Sequence, residues 1–188
     1  MNQLVDQYLL YRLRAKRDPE AFAQLYDRYV TAIYRFVYLK LPSKEVAEDV
    51  TSETFLRGWQ YIQQAEQIEN IRALLYKIAR NLVADHYRKH EATREQLVTF
   101  SSSHTSSMSE GDVSDKEVGR TMIEVRADVA LVFERVSRLK EDFQDVLTMR
   151  LVDGLSFGDI GSVLGKTSGN VRVIFHRALK ALESITKE

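Results

Sequence analysis

Three clusters of side chains in this 188-residue sequence have the types and spacing to do chemistry. Between Ile71 and His90 the cations Arg72, Lys77, Arg80, Arg88 and Lys89 meet a single acid, Asp85, and the stretch closes on His86, Tyr87, Arg88, Lys89 and His90. Arginine and lysine neutralise phosphates, and an aromatic ring stacks on an unpaired base for about 1–3 kcal/mol, so this mixture suits DNA whose strands are being separated. Lys166, Arg172, Arg177 and Lys180 form a second basic stretch with no acid among them, and Glu45, Glu48, Asp49 and Glu53 form an acidic one with no base. The 27 basic and 27 acidic residues cancel in the total, yet they are segregated along the chain, which points to two kinds of partner surface.

Catalysis is poorly served by these clusters. Asp49 and Glu53 could hold a metal, but no His or Cys ligand joins them, and His86 has no nucleophile or ligand partner at matching spacing. The chain has no cysteine, which removes disulfides, thiolate metal sites and thiol chemistry and suits a reducing compartment. No catalytic residue, metal or cofactor is expected. No apolar run approaches the roughly 20 residues needed to span a bilayer, so the expectation is a cytoplasmic protein without membrane insertion.

The elements that must position these clusters read as helices. Apolar residues recur at three and four, and only two prolines and eight glycines interrupt them, so the fold class expected is all-α: two small helical domains joined by a flexible linker. Asp18 before Pro19 is an N-cap with proline at the first helical position, and Phe22, Leu25, Tyr26, Tyr29, Ile33 and Phe36 mark that helix's buried face. Pro42 ends it, and Ser43 caps the next, with Val46, Val50, Phe55 and Trp59 inward. A third helix is expected from about Ile71 to Arg88, with Ile71, Leu74, Leu75, Ile78 and Leu82 on one side and Lys77, Arg80, Asn81, Tyr87 and Arg88 towards the other. A merely solvated face is the bland alternative for that basic side. "TFSSSHTSSMSEGDVSD" is too polar to bury and reads as linker, after which periodicity returns at Ile123, Val129, Val132, Phe133 and Val136 and continues through Phe143, Val146, Leu147, Met149 and Leu151.

"GLSFGDIGSVLGKTSGNVRVIFHRALKAL" reads as two helices around a tight turn. Ser156 caps the first, Phe157, Ile160 and Leu164 face inward, and Gly165 ends it in the left-handed conformation. Ser168 or Thr167 caps the second, whose buried stripe is Val171, Phe175, Ala178 and Leu182. This is a helix-turn-helix, in which the second helix enters the major groove; an ordinary helical hairpin is the alternative.

"AFAQLYDRYVTAIYRFVY", "AEDVTSETFLRGW" and "LLYKIARNLVADHYRK", in that order and followed by the helix-turn-helix, resemble an extracytoplasmic-function sigma factor of bacterial RNA polymerase, over about Pro19 to Lys89 and Leu139 to Leu182. The resemblance implies region two at residues 1–90, a linker at 91–120 without a region-three domain, and region four at 121–188. It implies docking of core RNA polymerase on Glu48, Asp49, Glu53, Thr54 and Phe55. It implies reading and opening of the minus-ten promoter element by Asn70, Lys77, Arg80, Asn81, His86, Tyr87, Arg88 and Lys89, with a flipped base received by the loop from Gln63 to Asn70. It implies minus-thirty-five recognition by Lys166, Ser168, Asn170, Arg172, Val173, His176, Arg177 and Lys180, and it suggests an anti-sigma factor that covers both domains. Three departures from the family pattern stand out: Asp159, Ile160 and Gly161 stand where "EIA" is usual; Asn170, Val171, Arg172, Val173 and Ile174 stand where small or basic residues are usual, with Val173 or Ile174 either touching thymine methyls or packing within the domain; and Lys140 replaces a proline, which would lengthen the incoming helix. Two other functions compete: a helix-turn-helix transcription regulator that does not replace a sigma factor, which leaves the acidic helix unexplained, and a nucleic-acid enzyme, which lacks ligands.

Overall fold

The computed structural model describes residues 3–64, 67–97, 135–136 and 138–186, with side chains as far as Lys89 in the first domain and Ile185 in the second. Among these residues all regular structure is helical. α1 spans Gln3–Lys16, α2 Pro19–Tyr38, α3 Lys44–Gln64 and α4 Ile71–Leu97. The second domain follows with α5 at Glu141–Leu147, a π-helical turn at Thr148–Val152, α6 at Phe157–Leu164 and α7 at Ser168–Thr186.

α1 was not assigned from the sequence. It buries Leu9, Leu10 and Leu13 while leaving Leu4, Tyr8 and Tyr11 exposed, so apolar residues ring the helix and blur its period. Asp6 is also buried. Burying a carboxylate is unfavourable unless it is paired, and here the Tyr29 hydroxyl donates to it at 2.6 Å with Arg28 at 3.1 Å. Burial, and then the proximity of Asp6, push the Tyr29 hydroxyl well above its usual range. Asp18 caps α2 by accepting from the Glu20 amide at 3.0 Å, as expected, and also pairs with Arg12 at 2.5 Å, which fixes the corner between α1 and α2.

The buried stripe of α3 is Ala47, Thr51, Thr54, Phe55, Gly58 and Ile62; Val46, Val50 and Trp59 are only half-buried. Close approach of α4 decides this. A Cβ on Gly58 would lie 2.9 Å from Leu75 Cδ2, so small residues take the centre of the contact and larger ones flank it. α4 carries the expected apolar residues but runs on to Leu97, through the first residues of the expected linker. It also buries Tyr76, whose ring meets Phe36 edge-on at 5.1 Å. The linker beyond Leu97, with Ile123, Val129, Val132 and Phe133, lies outside the described residues.

Lys140 does not lengthen the incoming helix. The Leu139 amide donates to the Val136 carbonyl in a turn, and Lys140 is extended at ψ 147, so α5 starts afresh at Glu141 with Glu141 and Asp142 in its first turn. The π turn then rotates the helical face, which leaves Leu151 exposed where the periodicity expected it to be buried. The two domains are packed together: Val146, Met149, Leu155, Ile160, Val163 and Val171 join the first domain's buried cluster, and Leu139, Leu147 and Ala178 form a smaller one beneath α7.

Candidate nucleic-acid interfaces

The basic face of α4 begins at Asn70. Its Oδ1 accepts from the Ala73 amide at 3.0 Å and caps the helix, while its Nδ2 donates to Asp159 Oδ1 at 2.7 Å, across the domain boundary. Asp159 in turn closes the capping box with Ser156, so the starts of α4 and α6 are tied together. Lys77 and Asn81 are exposed. Arg80 is engaged by the second domain, with Nε 2.6 Å from Asp145 and a terminal nitrogen 3.1 Å from Asp142 and 3.3 Å from Glu141. At the far end, His86 is half-buried against the edge of Tyr87, the Tyr87 hydroxyl donates to the Lys40 carbonyl, exposed Arg88 pairs with Asp85, and Lys89 is exposed. Burial raises the Tyr87 hydroxyl pKa.

Sequence reasoning missed Lys40 and Arg35 on this surface. Lys40 Nζ lies 2.5 Å from the fully buried Asp145, Arg35 reaches Asp153 at 2.5 Å, and Arg72, already singled out as a cation of this helix, donates to the Asp153 carbonyl. The Tyr76 hydroxyl faces Asp153 without a hydrogen bond of good geometry. Burial pushes the Asp153 carboxyl above its ordinary range, against the pull of Arg35 and Tyr76. The available signal was the run of acids in the second domain, Glu141, Asp142, Asp145, Asp153 and Asp159, facing a first domain rich in cations; the sequence could not show that the two meet.

α7 presents the second face. Thr167 is the residue that caps it, with Oγ1 accepting from the Asn170 amide at 3.3 Å. The turn is tight because Gly161 has no side chain: a Cβ there would fall 2.5 Å from the Lys166 carbonyl oxygen, which explains glycine where alanine is usual. Gly165 closes α6 at φ 64, as expected. Ser168, Asn170, Arg172, Val173, His176, Arg177 and Lys180 are all exposed along the outer side of α7, with the Arg172 guanidinium 5.4 Å from the Phe157 ring centre. Ile174 packs inward, so Val173 alone of that pair is available to a thymine methyl. Lys166 sits at the base of the turn, 3.4 Å from Asp142.

On α3, Glu48, Asp49 and Glu53 lie on the outer side, Glu48 within 3.5 Å of Lys44 and Glu53 within 2.7 Å of Arg57. Thr54 and Phe55 do not face outward. The Thr54 hydroxyl donates to the Val50 carbonyl at 2.7 Å, and the Phe55 ring packs 4.7 Å from Tyr26, so both hold the acidic face rather than form it. Leu56, 52% exposed, stands in that face and was missed, beside a shallow apolar groove lined by Phe22, Tyr26, Phe55 and Trp59. Among the described residues no group of three or more His, Cys, Asp or Glu is placed to hold a metal, and no helix is long and apolar enough to cross a membrane.

The family model for Sigma-70 region 2 matches residues 25–93, and that for Sigma-70, region 4 matches residues 131–182. The chain is similar to the ECF RNA polymerase sigma factor BldN of Streptomyces coelicolor, 34% identical over 88% of this chain and 60% of that relative. It is similar to the ECF RNA polymerase sigma factor SigW of Bacillus subtilis, 26% identical over 89% of each. In fold it is similar to the sigma factor RpoE from Bartonella quintana, solved in complex with the anti-sigma factor NepR, at a TM-score of 0.65 and 18% identity, covering 88% of this chain and 96% of that one.

Proposed function

The chain belongs to the extracytoplasmic-function sigma factors of the sigma-70 family, and from that premise we propose that it binds core RNA polymerase and directs promoter-specific transcription initiation. The observation that carries this reading is the coexistence, in one chain and in family order, of an acidic helix with an outward apolar residue, a basic helix that exposes Tyr87 and Arg88, and an open recognition helix. α3 docks the polymerase through Glu48, Asp49, Glu53 and the exposed Leu56. α4 and the loop before it receive the minus-ten element, Tyr87 stacking on an unpaired base and Arg88 taking a phosphate. α7 reads the minus-thirty-five element in the major groove, Arg172 reaching guanine or phosphate near the helix start.

The chain contributes binding, and the polymerase contributes the chemistry, in the cytoplasm where its DNA lies. An anti-sigma factor is the third partner in this reading, supported by the Bartonella quintana relative that was solved with one. A regulator that merely binds duplex DNA would have no use for the α3 face. Reconstitution with sigma-free core polymerase on promoter-containing genomic fragments tests the reading: specific transcripts are expected with the chain and not without it. Duplex binding with no polymerase association and no transcript would overturn it in favour of the regulator.

A further inference from the structure

Resting on that promoter-binding reading, we propose that the second domain carries a built-in competitor for the promoter: Asp142, Asp145 and Asp159 occupy the places on the basic side of α4 that DNA phosphates take, so the closed chain and the DNA-bound chain exclude one another. Asp145 is the centre. Its carboxylate is fully buried and accepts from Lys40 at 2.5 Å and Arg80 at 2.6 Å, both cations of the first domain. A buried carboxylate persists only when so paired. Arg80 spreads its guanidinium over Asp145 and Asp142, the fork geometry that it would offer to a phosphate. Asn70, the first residue of the same face, spends its amide on Asp159.

The direction of the bridges is consistent. In Arg35 to Asp153, Lys40 to Asp145, Asn70 to Asp159, Arg72 to the Asp153 carbonyl and Arg80 to Asp142 and Asp145, the first domain donates and the second accepts. A nucleic-acid backbone is likewise an acceptor, so the second domain satisfies the donors that DNA would satisfy. The exposed face of α7 is left open by this arrangement. Closure therefore occupies Asn70, Arg72 and Arg80 on one proposed DNA surface, leaves its Lys77 and Asn81 exposed, and spares the other surface.

The experiment uses the full chain. Because the sequence has no cysteine, Gln60→Cys and Ser184→Cys place one dye on α3 and one on α7 for an interdomain distance by energy transfer. Affinity is read as fluorescence anisotropy of a labelled duplex carrying a premelted bubble. Asp145→Asn is expected to lengthen the distance and to tighten bubble binding about tenfold, Asp142→Asn to do both more weakly, and Asp27→Asn, an equal charge change on exposed α2, to do neither. The proposal is overturned if the unaltered chain is already open, if Asp145→Asn neither opens the chain nor gains affinity, or if it opens while binding the bubble no better than Asp27→Asn. Should Asp145→Asn lose helical content, Asp142→Asn, whose side chain is partly exposed, decides by the same two readings. Transcription with core polymerase separates the two levels: transcripts with no effect of Asp145→Asn remove only the competitor, whereas the effect without transcripts removes only the polymerase reading.

Discussion

The two basic helices look alike in sequence and differ in the fold. Along α4, Asn70 and Arg80 are taken by second-domain carboxylates, Tyr87 by a backbone carbonyl and Arg88 by Asp85. Along α7, Arg172, His176, Arg177 and Lys180 stand exposed on one side, with Arg172 resting near an aromatic ring. A cation on a helix thus has a different meaning according to whether the chain itself supplies its counter-charge. In the reading proposed above, Arg72 and Arg80 of α4 hold the two domains together as well as awaiting DNA, whereas the exposed cations of α7 have only the second task.

That difference predicts opposite profiles for two arginines. Arg80→Ala removes a partner of the buried Asp145 and leaves Lys40 to hold it, so the expected loss of unfolding free energy is roughly 2–3 kcal/mol, below the full value of a broken buried pair because one cation remains. Arg172→Ala gives up an exposed contact with the Phe157 ring and is expected to lose under about 1 kcal/mol. Chemical denaturation of both variants measures the gap, and equal losses would erase the distinction between a paired and an open face.

How far these faces were legible follows from how local their determinants are. The helix-turn-helix was readable because its signals act within a few residues: the Ser156–Asp159 capping box, Gly165 at positive φ, and Val171 and Ala178 on one stripe. Thr167 and Ser168 could not be separated, since both carry the hydroxyl a cap needs and only the backbone decides. α1 was invisible because its apolar residues ring the helix and its buried acid, Asp6, is made tolerable by Tyr29, twenty-three residues along the chain. The family motif implies docking for Thr54 and Phe55, whereas periodicity already turns Phe55 inward and the spacing of both from Ala47, Thr51 and Gly58 places them on the buried stripe. Leu151 escaped because a π turn breaks the 3.6-residue count on which the reading depended. The bridges from Arg35, Lys40, Asn70 and Arg80 depend on tertiary placement across more than sixty residues, for which a single sequence holds no local signal.

A second comparison sharpens the division of labour between the faces. Arg172→Ala is expected to weaken duplex binding about tenfold, the scale of one good base or phosphate contact, and to respond little to the state of the downstream DNA. Tyr87→Ala with Arg88→Ala removes the stacking ring and its neighbouring cation, so promoter opening is expected to suffer while closed duplex binding changes less. A premelted bubble supplies the unstacking of a few kcal/mol per step in advance. Transcription by the Tyr87 and Arg88 variant is expected to recover on the bubble more than transcription by the Arg172 variant; equal recovery, or more from Arg172→Ala, would mean that the two helices do not divide the work in this way.

The smallest effect on stability is expected at the acidic face, where it is most informative. Glu53 pairs with Arg57 within one helix, and the partner side chains remain 48% and 40% exposed, a geometry that contributes under about 1 kcal/mol. Asp49 is exposed on the same side. Asp49→Arg with Glu53→Arg should therefore leave the unfolding transition almost where it was, because both positions lie beyond the first turn, where the helix dipole would reward an acid. Thr54 and Phe55 beneath them stay packed. If these acids serve the fold, the variant melts early; if they serve a basic partner surface, it keeps its helical content and loses core polymerase in a pull-down. Retained binding with retained helicity would remove α3 from the docking surface and leave its acidic face without a partner.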